Sequence, residues 1–205
     1  MLVSVSGLIG SGKDTIADFL VQDHGFVRMS FAAALKDVVA TVFGWDRELL
    51  EGRSEESRNW REQIDPWWAT RLGIPHLTPR WVLQQWGTEV LRRNFHDDIW
   101  VAALERRLLT ASASVVITDA RFPNELSVVR NNGGKNLLVK RGPDPDWYNA
   151  AIRTNLGQSV EMSVRSDIHP SEWSWVGREF DYTVYNDSSV DQLYKSVEQI
   201  VCKLS

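Results

Sequence analysis

The chain has almost no cysteine. Cys202 stands alone among 205 residues, so no internal disulfide can form. The fold must rest on burial and hydrogen bonds, which fits a reducing cytosol. Long apolar runs are missing, so no segment reads as a membrane span. The apolar start is short and runs straight into a glycine-rich turn, so no secretory signal is read there. Basic residues are not in excess, with 23 Lys and Arg against 27 Asp and Glu, a formal net charge of −4 and a pI near 5.6. That excludes a general nucleic-acid binder working through a basic surface, and leaves room for local cation clusters around a small anion. Internal repeats and low-complexity tracts are absent. So are the strings D-x-x-G and N-K-x-D that mark a switch GTPase.

What is present is enough for one domain with a full core, since hydrophobic residues make up 43% of the chain. The ten tryptophans are read mostly as core or interface residues. The organising stretch is Gly7-Leu8-Ile9-Gly10-Ser11-Gly12-Lys13-Asp14-Thr15, a G-x-x-x-x-G-K phosphate loop. Leu2–Ser6 before it alternates like a strand, and Thr15–Val21 after it reads as a helix. Glycines let successive backbone N–H groups point inward, and the helix start adds partial positive charge there. Lys13 can then reach the outer phosphates. Asp14 stands where a Ser or Thr usually touches Mg²⁺, so either Thr15 meets the metal or its water shell, or the metal is held mainly by waters and phosphates.

Further along, Phe26–Phe31 reads as a strand and Ala32–Phe43 as a helix with Leu35, Val38, Val39 and Val42 on one face. Ser30 and Lys36 fall near the carboxyl edge of that strand, where open α/β sheets bind ligands. Residues 45–77 look helical, charged and broken by Gly and Pro. Thr78-Pro79 starts a strong helix, with Thr78 as N-cap. Along it Arg80, Gln84, Thr88 and Arg92 recur every four residues as a polar stripe, while Val82, Leu83, Trp86, Val90 and Leu91 supply the core side. Gly87 in mid-helix implies a close approach at that point. His96-Asp97-Asp98 is read as the cap of the next helix. Ser114–Thr118 is a buried strand ending in Asp119-Ala120-Arg121, placing Asp119 for the Mg²⁺ water shell and Arg121 for the transferring phosphate. Asn136–Lys140 and Tyr182–Asn186 complete five strands, and Asp187–Leu204 closes the chain as a helix. Gly142–Asp181 has poor periodicity and is read as a lid, with Arg153 and Arg165 as its candidate cations and His169 as structural or lid-closing.

Five strands alternating with helices predict a single α/β domain, a parallel sheet with helices on both faces. Residues 45–110 would form its helical substrate-binding region and 142–181 its lid. Cations on several separated segments, without a Ser–His–Asp or paired-carboxylate constellation, favour phosphoryl transfer to an acceptor that is itself a phosphate. Such an acceptor, with a second pKa of about 6, is already ionised and nucleophilic at neutral pH.

Gly7–Thr15, Ser30-Phe31-Ala32 with Leu35-Lys36, Pro79-Arg80 through Leu83-Gln84, Gly87-Thr88-Glu89 and Arg92, Asp119-Ala120-Arg121-Phe122 with Asn124-Glu125, and His169-Pro170-Ser171-Glu172 together resemble the bacteriophage deoxynucleoside monophosphate kinases. The resemblance implies an adenylate-kinase-like P-loop core, ATP with Mg²⁺ as donor and a dNMP as acceptor. It also implies a homodimer in the cytoplasm of an infected bacterium. On this sequence Gly7, Gly10, Ser11, Gly12, Lys13, Asp14 and Thr15 would hold the ATP phosphates. Thr15 and Asp119 would serve the metal through water. Lys13, Asp119, Arg121 and Arg153 or Arg165 would be catalytic. Ser30, Lys36, Arg80, Gln84, Thr88, Glu89 and Arg92 would bind the acceptor. Two alternatives stay open: another small-metabolite P-loop kinase, of the phosphomevalonate or dephospho-coenzyme A type, and a non-catalytic nucleotide-binding regulator.

Overall fold

The computed structural model describes residues 1–204. In chain order the elements begin with β1 (Leu2–Ser6), α1 (Lys13–His24), β2 (Val27–Met29), α2 (Ala33–Phe43), α3 (Glu55–Arg61) and α4 (Pro66–Leu72). Next come α5 (Pro79–Gln84), a π turn over Gln85–Val90, α6 (Leu91–Asn94), α7 (Ile99–Leu108), β3 (Val115–Ile117), α8 (Pro123–Asn131) and β4 (Lys135–Lys140). The chain finishes with α9 (Tyr148–Asn155), α10 (Glu161–Val164), α11 (Pro170–Trp173), β5 (Tyr182–Tyr185) and α12 (Val190–Leu204). Two compact units result. One holds Met1–Ser30 and the chain from Glu105 onward, the other Phe31–Leu104. None of these helices is long and apolar enough to cross a membrane.

The first unit carries the five-stranded sheet, all parallel, in the order β2-β3-β1-β4-β5. The central strand is therefore the one that feeds the glycine loop. Its period-two pattern decides both faces. Val3 and Val5 join Val116, Leu137, Val139 and Val184 against Ile16, Ala17 and Leu20 of α1 and Leu193, Val197 and Ile200 of α12. Ser4 and Ser6, between those valines, face the other way and are also buried. Ser4 Oγ donates to Asn136 Oδ1 at 2.5 Å, and Asn136 Nδ2 donates to the Leu126 carbonyl of α8 at 3.0 Å. That network satisfies polar groups whose burial would otherwise cost about 1–3 kcal/mol each. The segment read as a lid folds into α9, α10 and α11, with Tyr148, Ala151, Met162, Trp173, Trp175 and Val176 buried. Its weak periodicity follows from helices of only 8, 4 and 4 residues.

The second unit is helical. In α2 the buried face is Leu35, Val39 and Phe43, while Val38 and Val42 are 45% and 49% exposed, so the core stripe runs in steps of four rather than through the pair expected from spacing. Phe43 stacks on Trp45 with centroids 4.4 Å apart and packs near Trp68 and Trp86. Trp45 Nε1 donates to Asp65 Oδ2 and Trp68 Nε1 to the Phe43 carbonyl. Trp45 is buried and Trp68 half-buried, and both of their indole N–H groups are satisfied. Thr78 caps α5 by accepting the Trp81 N–H at 3.1 Å, with Pro79 at the first helical position. The helix then widens into the π turn. Gly87 lies in it because a Cβ would come within 2.9 Å of Leu35, and the Gly87 carbonyl accepts from Trp100 Nε1 at 2.8 Å.

Candidate active site

The loop after β1 is shaped by two glycines that no other residue could replace without displacement. A Cβ on Gly7 would lie 2.4 Å from the Val139 carbonyl oxygen and 2.6 Å from Ser11 Oγ. A Cβ on Gly12 would lie 2.5 Å from Asn186 Nδ2, and Gly12 has φ +107°. Asn186, just past the end of β5, donates from Nδ2 to the Ser11 carbonyl at 2.9 Å, so the last strand braces the loop. Arg141, past β4, reaches the Gly10 carbonyl at 3.4 Å. Lys13, the first residue of α1, turns back and donates to the carbonyls of Gly7 at 2.9 Å and Leu8 at 2.8 Å.

The loop opens on a cleft lined by Gly7, Lys13, Arg121, Ser171, Glu172 and Trp175. Burial, followed by the nearby Arg121 charge, lowers the Lys13 pKa to about 8 against the pull of Asp14 and Glu172. A desolvated ammonium held down by a neighbouring guanidinium is stabilised by any anion that joins them. Ser11 adds a second sign of fit, because its hydroxyl is buried and without a hydrogen-bond partner among the described residues. Buried hydroxyls are seldom left so, and a phosphate oxygen would satisfy it.

Asp119 and Arg121 follow β3. The Asp119 carboxylate accepts from Ser30 Oγ at 2.6 Å, which joins two of the sequence candidates. Arg121 is anchored at its backbone, whose N–H donates to Glu125 Oε2 at 2.6 Å, and at its tip, where Nη1 meets Glu172 Oε1 at 2.6 Å. Glu125 is buried and also accepts the Phe122 N–H at 3.1 Å, closing the start of α8. His169 caps α11, its Nδ1 accepting the Ser171 N–H at 3.2 Å, so its role there is structural.

Other candidates take different positions. The exposed Asp14 carboxylate pairs with Arg28 at 3.2 Å, which leaves its backbone N–H for the loop. Thr15 is half-buried in the first turn of α1. Arg153 pairs with Glu161 at 3.1 Å and Arg165 with Asp167, both within their own segment. In the helical unit Lys36 Nζ lies 2.7 Å from Glu51 Oε2, and Arg47 binds the same carboxylate. Burial works to raise the Glu51 pKa, but hydrogen bonds and charge from Lys36 and Arg47 outweigh it and hold the group at about 2. Arg80 pairs with Glu62 at 3.2 Å, and Glu89 pairs with Arg93. The four-residue stripe does not survive, because the π turn breaks its register. Gln84 is exposed and Thr88 half-buried, whereas Arg92 is buried, 4.0 Å from Asp97. Val90, expected on the core side, is 48% exposed for the same reason. Among the described residues no group of three or more His, Cys, Asp or Glu is arranged to hold a metal ion.

Comparison with known proteins adds a further finding. No protein-family model matches the chain. It is 27% identical over 212 residues to a putative deoxynucleotide monophosphate kinase of Acanthamoeba polyphaga mimivirus, covering 96% of this chain and 94% of that protein. It is 28% identical over 226 residues to the deoxynucleoside-5′-monophosphate kinase of Escherichia phage T5, covering 84% of each, and 22% identical to the deoxynucleotide monophosphate kinase of Escherichia phage RB69, covering 98% and 99%. The chain is thus similar over most of its length to viral proteins named as deoxynucleotide monophosphate kinases. Among solved structures, a shikimate kinase from Aquifex aeolicus aligns with TM-score 0.49 at 11% identity, over 98% of this chain and 96% of that one. A dephospho-CoA kinase from Campylobacter jejuni aligns with TM-score 0.45 at 14% identity, over 100% and 97%.

Several of these contacts had no counterpart in the sequence reading. Glu125 carried a signal that was available, since an acid three residues after a helix-preceding position and before an apolar run is a capping pattern. Glu172 stood in the His169-Pro170-Ser171-Glu172 run without a role of its own, and Asn186 carried no signal, because only the folded chain brings positions 186 and 172 to the loop.

Proposed function

We propose that the protein transfers the γ-phosphate of ATP to the 5′-phosphate of a deoxynucleoside monophosphate, giving the dNDP and ADP. The observation that supports this most is the cleft at the carboxyl edge of the central strand, where the Gly7–Lys13 loop and Arg121 meet. Relatives matched along 84–98% of the chain carry this activity in their names.

Gly7, Gly10, Ser11 and Gly12, with the N–H groups of Asp14 and Thr15, cradle the donor phosphates. Lys13 and Arg121 offset the charge that builds between donor and acceptor. No general base is required, because the attacking monophosphate is already ionised. Mg²⁺ carried with ATP would supply charge neutralisation at the donor phosphates. Asp119 and Thr15 would hold that ion through its water shell. Ser30, Lys36, Arg80, Gln84, Thr88, Glu89 and Arg92 bind the acceptor. For Lys36 and Arg80 this requires exchange of a present carboxylate partner for phosphate. Arg153 and Arg165, on the segment read as the lid, make the same exchange on closure. The enzyme works in the cytoplasm of the infected host, and a homodimer is the expected assembly.

The test is ADP release with Mg·ATP against dAMP, dGMP, dCMP and dTMP, their ribose counterparts, and two non-nucleotide acceptors. Turnover with one or more dNMPs supports the proposal. Retained ATP binding with no turnover on any nucleotide contradicts it.

A further inference from the structure

A carboxylate is the least expected group in a cleft built for a triphosphate, yet Glu172 lines it together with Lys13 and Gly7. Its Oε1 sits 2.6 Å from Arg121 Nη1, and neither side chain is more than 39% exposed. The acid stands on an anchored turn. His169 caps it, Asn155 Nδ2 donates to the carbonyls of Trp173 at 2.9 Å and Val176 at 2.8 Å, and Trp173, Trp175 and Val176 are buried. Arg121 is held from the other end as well, through its backbone N–H and the buried Glu125. A side chain with four rotatable bonds is thus fixed at both root and tip.

We propose that Glu172 is a positioning residue for phosphoryl transfer, holding the Arg121 guanidinium in the cleft with its remaining N–H groups available to the transferring phosphate. This rests on the functional reading above and on Arg121 acting on that phosphate. A guanidinium has five N–H donors in a rigid fork, and the contact with Glu172 engages one of its two terminal nitrogens. Fixing a free arginine costs rotamer freedom, a cost that Glu172 meets before substrate arrives. The opposite arrangement is a latch, in which Glu172 competes with phosphate for Arg121 and its removal tightens ATP binding.

The experiment compares full-length wild type, Glu172→Gln, Glu172→Asp, Arg121→Ala and the double variant Glu172→Gln/Arg121→Ala. The readouts are kcat and KM for Mg·ATP with saturating dNMP, ATP affinity by calorimetry, and thermal melting. Glu172→Gln is expected to lower kcat by about 10–100-fold, the usual range for groups that orient a catalytic side chain, while KM for ATP moves less than about 3-fold. Glu172→Asp regains part of the loss. In the Arg121→Ala background the same change costs less than about 2-fold, since a residue acting through Arg121 has nothing left to orient. An equal loss in both backgrounds, an unchanged kcat, or tighter ATP binding without loss of kcat overturns the proposal. Should Glu172→Gln fail to fold, Glu172→Asp in the two backgrounds decides by the same criterion. Absence of dNMP turnover in wild type contradicts the functional reading itself, and this proposal falls with it.

Discussion

Lys13 in the free protein should titrate near pH 8 and take up a proton when ATP binds above that pH. An ordinary lysine titrates at 10.5, and burial with Arg121 nearby brings Lys13 to about 8. The difference corresponds to about 3 kcal/mol less preference for the charged form. Bound phosphates restore that preference, so the bound lysine stays charged. ATP affinity should then be nearly flat up to pH 7.5 and weaken by about 10-fold at pH 9 and about 100-fold at pH 10. Calorimetry with ATP and no acceptor, in buffers of different ionisation enthalpy, reads both the affinity and the proton uptake. Lys13→Arg keeps its charge throughout and should show no such fall, whatever its absolute affinity. Stability of the free protein follows with a definite sign. Between pH 8 and 10.5 the unfolded lysine holds a proton that the folded one has lost, so stability rises with pH across that window in wild type and not in Lys13→Met. Wild-type affinity that stays constant to pH 10, or falls equally in Lys13→Arg, refutes the reasoning.

Three further outcomes follow from the same geometry. Gly7→Ala places a Cβ 2.4 Å from a backbone oxygen and should abolish ATP binding, whereas Gly10→Ala meets nothing within 4 Å and should cost only the strain of φ +78°, about 1–2 kcal/mol in a melting experiment. Asn186→Ala removes the brace on the Ser11 carbonyl and should raise the ATP KM several-fold, on the order of 1 kcal/mol, with the dNMP KM unchanged in steady-state kinetics. Glu51→Gln should destabilise the protein at pH 7 by up to about 3 kcal/mol in denaturant titrations. The wild-type carboxylate titrates at about 2 instead of 4.5, so this advantage is present above pH 4.5 and is lost as pH falls toward 2.

Local pattern carried the strands, the loop and most helices. The alternation in Leu2–Ser6, the glycine spacing and the Thr78-Pro79 start all depend on neighbours in sequence, and each appears where expected. Strand order could not be read locally, since β1 pairs with β3 and β4, whose residues are more than a hundred positions away. The polar stripe failed for a definite reason: a π turn shifts the register after Gln85, and nothing in Gln85–Val90 announces a wider turn except Gly87. The cleft was half legible. Of the residues lining it, Lys13 and Arg121 were named from motif and position. Glu172, seen in sequence only within the His169-Pro170-Ser171-Glu172 run, reaches the cleft and Asn186 reaches the loop through folding, and the carboxylate partners of Lys36, Arg80, Arg153 and Arg165 are set by side-chain geometry that spacing does not encode.

The central claim is transfer to a phosphate rather than to water or a hydroxyl, and γ-³²P-labelled ATP tests it directly. With a dNMP present, the account predicts label in the β-position of the corresponding dNDP and little free phosphate, with the label lost from that product in Lys13→Ala. Label found only in inorganic phosphate, or in a monophosphate ester made from a non-nucleotide alcohol, would contradict it.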